Sequence, residues 1–271
     1  MKIAAVVVTY NRQDLLQLAL RAVEGQDPPP DKLLIIDNAS TDDTPTYLAS
    51  RRFTVDHEVV RLQKNSGGAG GFSVGCRIAY EQGFEGVWLM DDDTVPQPQA
   101  LGRLVESLED AEVRLGYLPS FACSLVLYAK DGTMCEMNTP EGTWDWIRSM
   151  ALGGDYTLAK SCSFVSCLVT RQAIRRVGLP SANYFIWYDD AEYTQRLSKF
   201  RPGIFVPTSR ADHLIPQNRG VNFGDVTKDN LWKFEHGVRN QVATAFELHS
   251  PTLAVEVAER IIKQTCGSRV S

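Results

Sequence analysis

Over the first hundred residues, apolar runs of strand length alternate with amphipathic stretches. Residues 3–8 (I-A-A-V-V-V), 33–36 (L-L-I-I), 58–62 (E-V-V-R-L) and 87–90 (V-W-L-M) read as four strands. Leu15, Leu16, Ala19, Leu20 and Val23 mark a first helical stripe. Val74, Ile78 and Ala79 mark a second, and Leu101, Leu104, Val105 and Leu108 a third within 97–109. Strands apolar on both faces, alternating with helices, predict an α/β domain whose central, mainly parallel sheet is covered on both sides. In such sheets ligands gather beyond the carboxyl ends of the strands. The polar motifs fall at those four ends: Thr9-Tyr10-Asn11-Arg12, Asp37-Asn38-Ala39-Ser40-Thr41-Asp42-Asp43, Asn65-Ser66-Gly67-Gly68-Ala69-Gly70-Gly71 and Asp91-Asp92-Asp93.

The second half is less regular. Two strands are expected in 121–137 around a Lys130-Asp131-Gly132 turn, then an irregular loop over 138–160. A strand near 163–169 leads to a helix at 171–177, and a helix opening with acids follows within 185–197. After a short strand at 203–206 come Asp212-His213 and two closing helices, near 229–247 and 251–265. With no repeat or linker, the pattern predicts one domain over 1–228, in halves at 1–95 and 96–228. Residues 229–271 form a helical extension packed on it.

The 271 residues carry a net charge of −5, so there is no overall basic excess to hold nucleic acid or an anionic membrane. The six cysteines show no C-x-x-C pair and no zinc-finger spacing to histidine, which predicts buried, reduced thiols in a reducing cytosol. The N-terminal apolar run is too short for a signal peptide or a membrane span, and the expectation is an intracellular soluble protein.

Candidate chemistry concentrates in two acidic clusters. Asp91 and Asp93, two apart, point the same way from an extended backbone. Hard divalent cations such as Mg²⁺ or Mn²⁺ take carboxylate oxygens and relieve the repulsion of three adjacent aspartates, which a capped loop explains poorly. Asp189, Asp190 and Glu192 follow the aromatic residues Phe185, Trp187 and Tyr188. Acids suit a helix N-terminus, yet a carboxylate crowded by like charge and aromatic walls also suits a general base. Ser40 or Thr41 is expected to cap a helix, whereas Asp37 has no evident capping role. The glycine tract is not G-x-G-x-x-G, because the third glycine position is Ser73. It reads either as a flexible loop or as backbone that approaches a ligand closely through Gly68, Gly70 and Gly71. Among the histidines only His213 stands near other candidate groups, while His57, His236 and His249 have no such context.

Taken together, V-V-T-Y-N-R, I-I-D-N-A-S-T-D-D-T, N-S-G-G-A-G-G-F, W-L-M-D-D-D-T-V-P and Y-D-D-A-E-Y resemble the inverting family 2 glycosyltransferases of the GT-A fold. The resemblance runs from residue 3 to about 213. It is greatest to bacterial galactofuranosyltransferases, with rhamnosyltransferases as neighbours, although Tyr188 separates Trp187 from the paired aspartates here. It implies that 1–95 is a nucleotide-binding half and 96–228 an acceptor half, and that Thr9, Tyr10, Asn11, Arg12, Asp37, Asn65, Gly68, Gly70, Gly71, Asp91 and Asp92 bind a nucleotide-sugar donor. It further implies that Asp91, Asp93 and His213 hold Mn²⁺ or Mg²⁺, that Asp190 is the base, and that Trp187, Asp189, Glu192 and Trp144 support the acceptor. The implied reaction moves galactofuranose from UDP-galactofuranose, or rhamnose from dTDP-rhamnose, onto a glycan or lipid-linked glycan in the cytoplasm, at the inner membrane face if the acceptor is lipid-linked. A nucleotidyltransferase and a non-catalytic nucleotide-sugar-binding module are the readings from other classes. The first would need a basic residue within the glycine loop, which Lys64 only flanks; the second would need no base.

Overall fold

The computed structural model describes residues 1–248 and 251–267; His249 and the last four positions of the predicted extension lie outside them. The first half runs β1 (Ile3–Thr9), α1 (Gln13–Glu24), β2 (Lys32–Asp37), α2 (Thr44–Ser50), β3 (His57–Arg61), α3 (Gly67–Glu81), β4 (Gly86–Asp91), β5 (Thr94–Pro96) and α4 (Ala100–Leu115). The second continues with β6 (Phe121–Tyr128), β7 (Glu141–Gly142), α5 (Arg148–Ala151), β8 (Thr157–Ser161), β9 (Cys167–Thr170), α6 (Arg171–Val177), α7 (Asp189–Phe200) and β10 (Gly203–His213). Helices α8 (Leu231–Leu248) and α9 (Pro251–Gly267) close the described chain.

One mixed sheet has the order β3-β2-β1-β4-β9-β6-β10-β8-β7, with β5 paired to β10. Its first four strands are parallel, as their continuous apolar runs predict. Beyond them β9 inserts antiparallel between β4 and β6, so the second half of the sheet is mixed. Side chains alternate between the two cores. Ile3, Ala5 and Val7 of β1 face α1 and α4 with Trp88 and Met90 of β4, while Ala4, Val6 and Val8 face α3 with Val87 and Leu89. A third cluster joins α8 and α9 through Phe223, Phe234, Ala254, Val257 and Ile261.

The glycine tract opens α3 rather than a flexible loop. A Cβ on Gly71 would stand 2.5 Å from Val8 Cγ1, so this glycine lets the helix lie close on β1. Gly67 has φ +73°, and a Cβ there would stand 2.0 Å from the Phe185 carbonyl oxygen. The two ends of the site, nearly 120 residues apart, therefore touch backbone to backbone.

The irregular stretch predicted over 138–160 contains β7, α5 and β8, and the second strand expected near 134 is reduced to a bridge between Leu127 and Met134. Five cysteines are buried and all six are free; Cys266 differs from the expectation in being exposed. Among the described residues, no helix is long and apolar enough to cross a membrane.

Candidate active site

Parallel register lines up the strand ends: Thr9 pairs with Asp37, Val8 with Asp91, and Asp37 with Arg61. The chain turns at Asp92-Asp93 and runs back as β5, which pairs antiparallel with the end of β10 so that Thr94 faces His213. That pairing brings His213 Nε2 to 3.2 Å from Asp93 Oδ1. The contact lies off the hydrogen-bond axis, and Asp93 Oδ1 is buried without an aligned donor.

Thr9 and Arg12 hold the other aspartate oxygens. Thr9 Oγ1 donates to Asp92 Oδ2 at 2.8 Å, and Arg12 Nη1 donates to Asp93 Oδ2 at 2.8 Å and Asp92 Oδ1 at 3.3 Å. The Tyr10 amide also reaches Asp92 Oδ2, at 3.3 Å, and the Tyr10 ring is exposed. Asn11, at φ 53°, accepts from the Thr41 amide at 2.7 Å and the Asp42 amide at 3.3 Å, which ties the loop after β1 to the loop after β2.

Burial and the charges of Asp93 and Asp92 push Asp91 up to about 8. Burial pushes Asp92 to about 6 against the pull of Arg12. Burial also opposes ionisation of Asp93, but His213 and Arg12 outweigh it and hold its carboxyl below the usual range. His213 is likewise resisted by burial, yet its contact with Asp93 raises it to about 9. Its Nδ1 lies 2.8 Å from Asn138 Oδ1, and Asn138 Nδ2 donates to Ser163 Oγ at 2.8 Å. An amide oxygen facing Nδ1 keeps a proton there, while Asp93 favours a second on Nε2, which would have to leave before that nitrogen could bind a cation.

Among the described residues no three His, Cys, Asp or Glu side chains stand together as a ready-made metal cage. The donor set nonetheless fits a hard cation that takes one or two protein carboxylates and draws its other ligands from a diphosphate. Asp93 Oδ1 is orphaned, Asp91 is held against ionisation by its neighbours, and His213 presents a nitrogen.

Several expected residues have other work. Asp37 caps no helix, as expected, but braces the loop after β2: its Oδ1 accepts the Ser40 amide at 2.8 Å, and Arg61 Nε lies 3.6 Å from Oδ2. The α2 end is served instead by Asp42, which accepts the Thr44 amide at 3.0 Å, while Ser40 Oγ accepts the Asn11 amide. Asn65 makes a local turn, accepting the Gly67 amide at 2.8 Å, and a Cβ on Gly70 would collide with Ser66 Oγ at 2.3 Å. Only at Gly68 is the position open, with Phe72 no nearer than 3.9 Å.

The second acidic cluster opens α7 beside the Phe164 amide. Asp190 Oδ1 accepts the Ala191 amide at 2.7 Å, and burial raises its pKa to about 6. Asp189 is pushed well up by burial and by the charges of Asp190 and Asp91, so the two acidic clusters sense each other. Of the helix pair, Asp190 is the carboxylate ionised at neutral pH. Glu192 is buried in a two-pronged ion pair with Arg196 Nε and Nη2, and Arg196 also donates to the Val177 carbonyl through Nη1 and to the Leu179 carbonyl through Nη2. Trp187 packs edge-on against Phe234, 5.2 Å between ring centres, and Trp144 is 94% exposed on the segment before β8. Asn138, which faces His213, carries no sequence signal, because a lone amide in a short turn makes no pattern.

Residues 4–151 match the family model described as Glycosyl transferase family 2. Galactofuranosyltransferase GlfT1 of Mycolicibacterium smegmatis is 29% identical over 214 residues, 72% of this chain and 65% of that protein. The match thus spans just under two thirds of that relative's length. Among solved structures, TarS 1–349 of S. aureus superposes with TM-score 0.61 at 15% identity, over 98% of this chain and 72% of that one. The mannosyltransferase PcManGT of Pyrobaculum calidifontis, in complex with GDP-Man and Mn²⁺, superposes with TM-score 0.64 at 16% identity, over 98% and 73%. These structures share the GT-A fold. With the family match covering more than half of the sequence, the chain belongs to Glycosyl transferase family 2.

Proposed function

We propose that this chain is a metal-dependent inverting glycosyltransferase that moves galactofuranose from UDP-galactofuranose to a hydroxyl of a growing bacterial surface glycan or lipid-linked glycan. The observation that carries the reading is the meeting of two acidic clusters with different environments. One carries Arg12, His213 and an orphaned carboxylate oxygen; the other carries a desolvated aspartate near pKa 6. The first suits a donor diphosphate with its cation, the second an acceptor hydroxyl. The choice of sugar rests on the 29% identity to GlfT1.

Asp91, Asp93 and the Nε2 of His213 would hold Mn²⁺ or Mg²⁺, which supplies Lewis-acid charge for a departing diphosphate. Asn138 fixes the His213 ring. Arg12, paired with Asp92 and Asp93 through Nη1 and half exposed at its side chain, would turn to the phosphates when the cation takes its place on the aspartates. Asp190 Oδ1 is held by its own helix, so Oδ2 takes the proton from the acceptor hydroxyl. The acceptor oxygen then bonds the anomeric carbon as the bond to the diphosphate breaks, and the configuration inverts in one displacement through an oxocarbenium-like state.

The test is nucleotide release from UDP-galactofuranose, dTDP-rhamnose and GDP-mannose, each with Mn²⁺ and with EDTA. The reading expects Mn²⁺-dependent UDP release from UDP-galactofuranose. Release of dTDP alone would move the enzyme to rhamnose, and pyrophosphate formed from UTP and a sugar 1-phosphate, with no UDP released from the nucleotide sugar, would make it a nucleotidyltransferase.

A further inference from the structure

The turn that delivers Asp189 and Asp190 is conformationally improbable on its own. Phe185, Trp187 and Tyr188 all lie at positive φ (63°, 65° and 67°) without a glycine among them. Bulky residues seldom adopt that region, and several in one turn persist only where the surroundings over-determine them. The turn's carbonyls find donors outside it. The Ala69 amide of α3 reaches Phe185 O at 3.2 Å, and Arg239 Nη2 reaches Asn183 O at 2.7 Å and Tyr184 O at 3.1 Å. Asn240 Nδ2 shares its two hydrogens among Tyr184 O, Ile186 O and Trp187 O, at 2.8, 3.0 and 2.9 Å.

The amide cannot be turned the other way. Asn240 Oδ1 accepts from Arg239 Nε at 2.9 Å and Nη2 at 2.8 Å, which sends the NH₂ group toward the turn. Asn240 is 1% exposed. The rest of the α8 face is shaped to the same turn. A Cβ on Gly237 would stand 2.8 Å from the Trp187 ring, Phe234 meets that ring edge-on, and Thr244 Oγ1 lies 3.0 Å from Tyr184 Oη. Tyr188 is the residue that caps α7, so the dihedrals fixed by α8 decide the direction in which the two aspartates leave the turn.

We propose that Asn240 is a positioning residue for glycosyl transfer: through three backbone carbonyls it holds the 184–188 turn in its left-handed path and thereby aims Asp190 at the acceptor hydroxyl. The helical extension is on this account part of the catalytic apparatus rather than a cover for the domain. The inference rests on Asp190 serving as the base.

The test is Asn240→Asp in the full chain, with Asp190→Asn beside it. The variant keeps side-chain size and the acceptor for Arg239 but turns an oxygen toward three carbonyl oxygens. Two quantities are read: turnover of UDP-galactofuranose with a galactofuranoside glycan as acceptor, and UDP affinity in Mn²⁺. A misaimed base lowers turnover by about 10²-fold with UDP affinity and donor KM unchanged. Turnover lost in Asp190→Asn but kept within about twofold in Asn240→Asp overturns the clamp alone. Normal turnover in Asp190→Asn overturns the base assignment, and the clamp falls with it. UDP affinity lost in step with turnover overturns the inference too, since a merely structural residue would behave so. If Asn240→Asp yields no folded protein, Arg239→Met, which releases Asn183 O, Tyr184 O and the Asn240 amide, is read by the same criteria.

Discussion

Asp91→Asn separates stability from function in opposite directions. Asp91 is displaced from 3.8 to about 8 by burial and by two neighbouring carboxylates, a difference worth roughly 6 kcal/mol if Asp91 bore it alone. The repulsion is shared with Asp92 and Asp93, and the side chain is partly open to solvent, so about 2–3 kcal/mol is expected from the single substitution. In a domain of this size that is about 5–10 °C in Tm. A carboxyl whose folded pKa is raised contributes stability fully present below its unfolded value and lost as pH climbs through the folded one. The gain of Asp91→Asn over wild type should therefore be absent near pH 4 and grow up to about pH 8. Calorimetry of the metal-free proteins across that range measures it. The same variant should lose the extra stabilisation that Mn²⁺ gives to UDP binding. A variant less stable than wild type at pH 8, or a difference that does not grow with pH, would refute the account of this carboxylate.

Two further outcomes follow from the geometry. Because Asp190 must be ionised to accept a proton and its pKa is about 6, kcat/KM should fall on the acid side with a midpoint near that value; a profile flat well into the acid range would remove Asp190 from the role. Gly67→Ala combines positive φ with a clash against the Phe185 carbonyl, so it should cost about 2 kcal/mol or more in thermal stability and lower transfer as well. An unchanged Tm would mean that the glycine loop does not seat the acidic turn.

The first half of the sheet was legible because its strands announce themselves twice. β1, β2 and β4 are apolar runs buried on both faces and lead into polar loops, whereas the edge strand β3 is half exposed and shows only Val59 and Val60. What lay beyond pattern was pairing at a distance. The sequence suggests a strand that stops at 206, because the register shift between Val206 and Arg210 and the polar Arg210-Ala211-Asp212 disguise its continuation to His213. The hydrogen bonds of single polar side chains were equally hidden. Asp37 and Glu192 stand out in sequence as acids, and only the structure shows that Asp37 accepts the Ser40 amide and that Glu192 pairs with Arg196. Asn240 sits on a helix whose periodicity reports packing and cannot report three carbonyls contributed from elsewhere in the chain.

On the proposed mechanism, donor binding and proton abstraction belong to separate carboxylates of one site. This separation is tested most directly in Asp190→Asn, by measuring UDP affinity in Mn²⁺ alongside turnover of UDP-galactofuranose. The prediction is wild-type affinity with turnover lowered by about 10²–10⁴. Near-normal turnover, or affinity lost together with turnover, would contradict it.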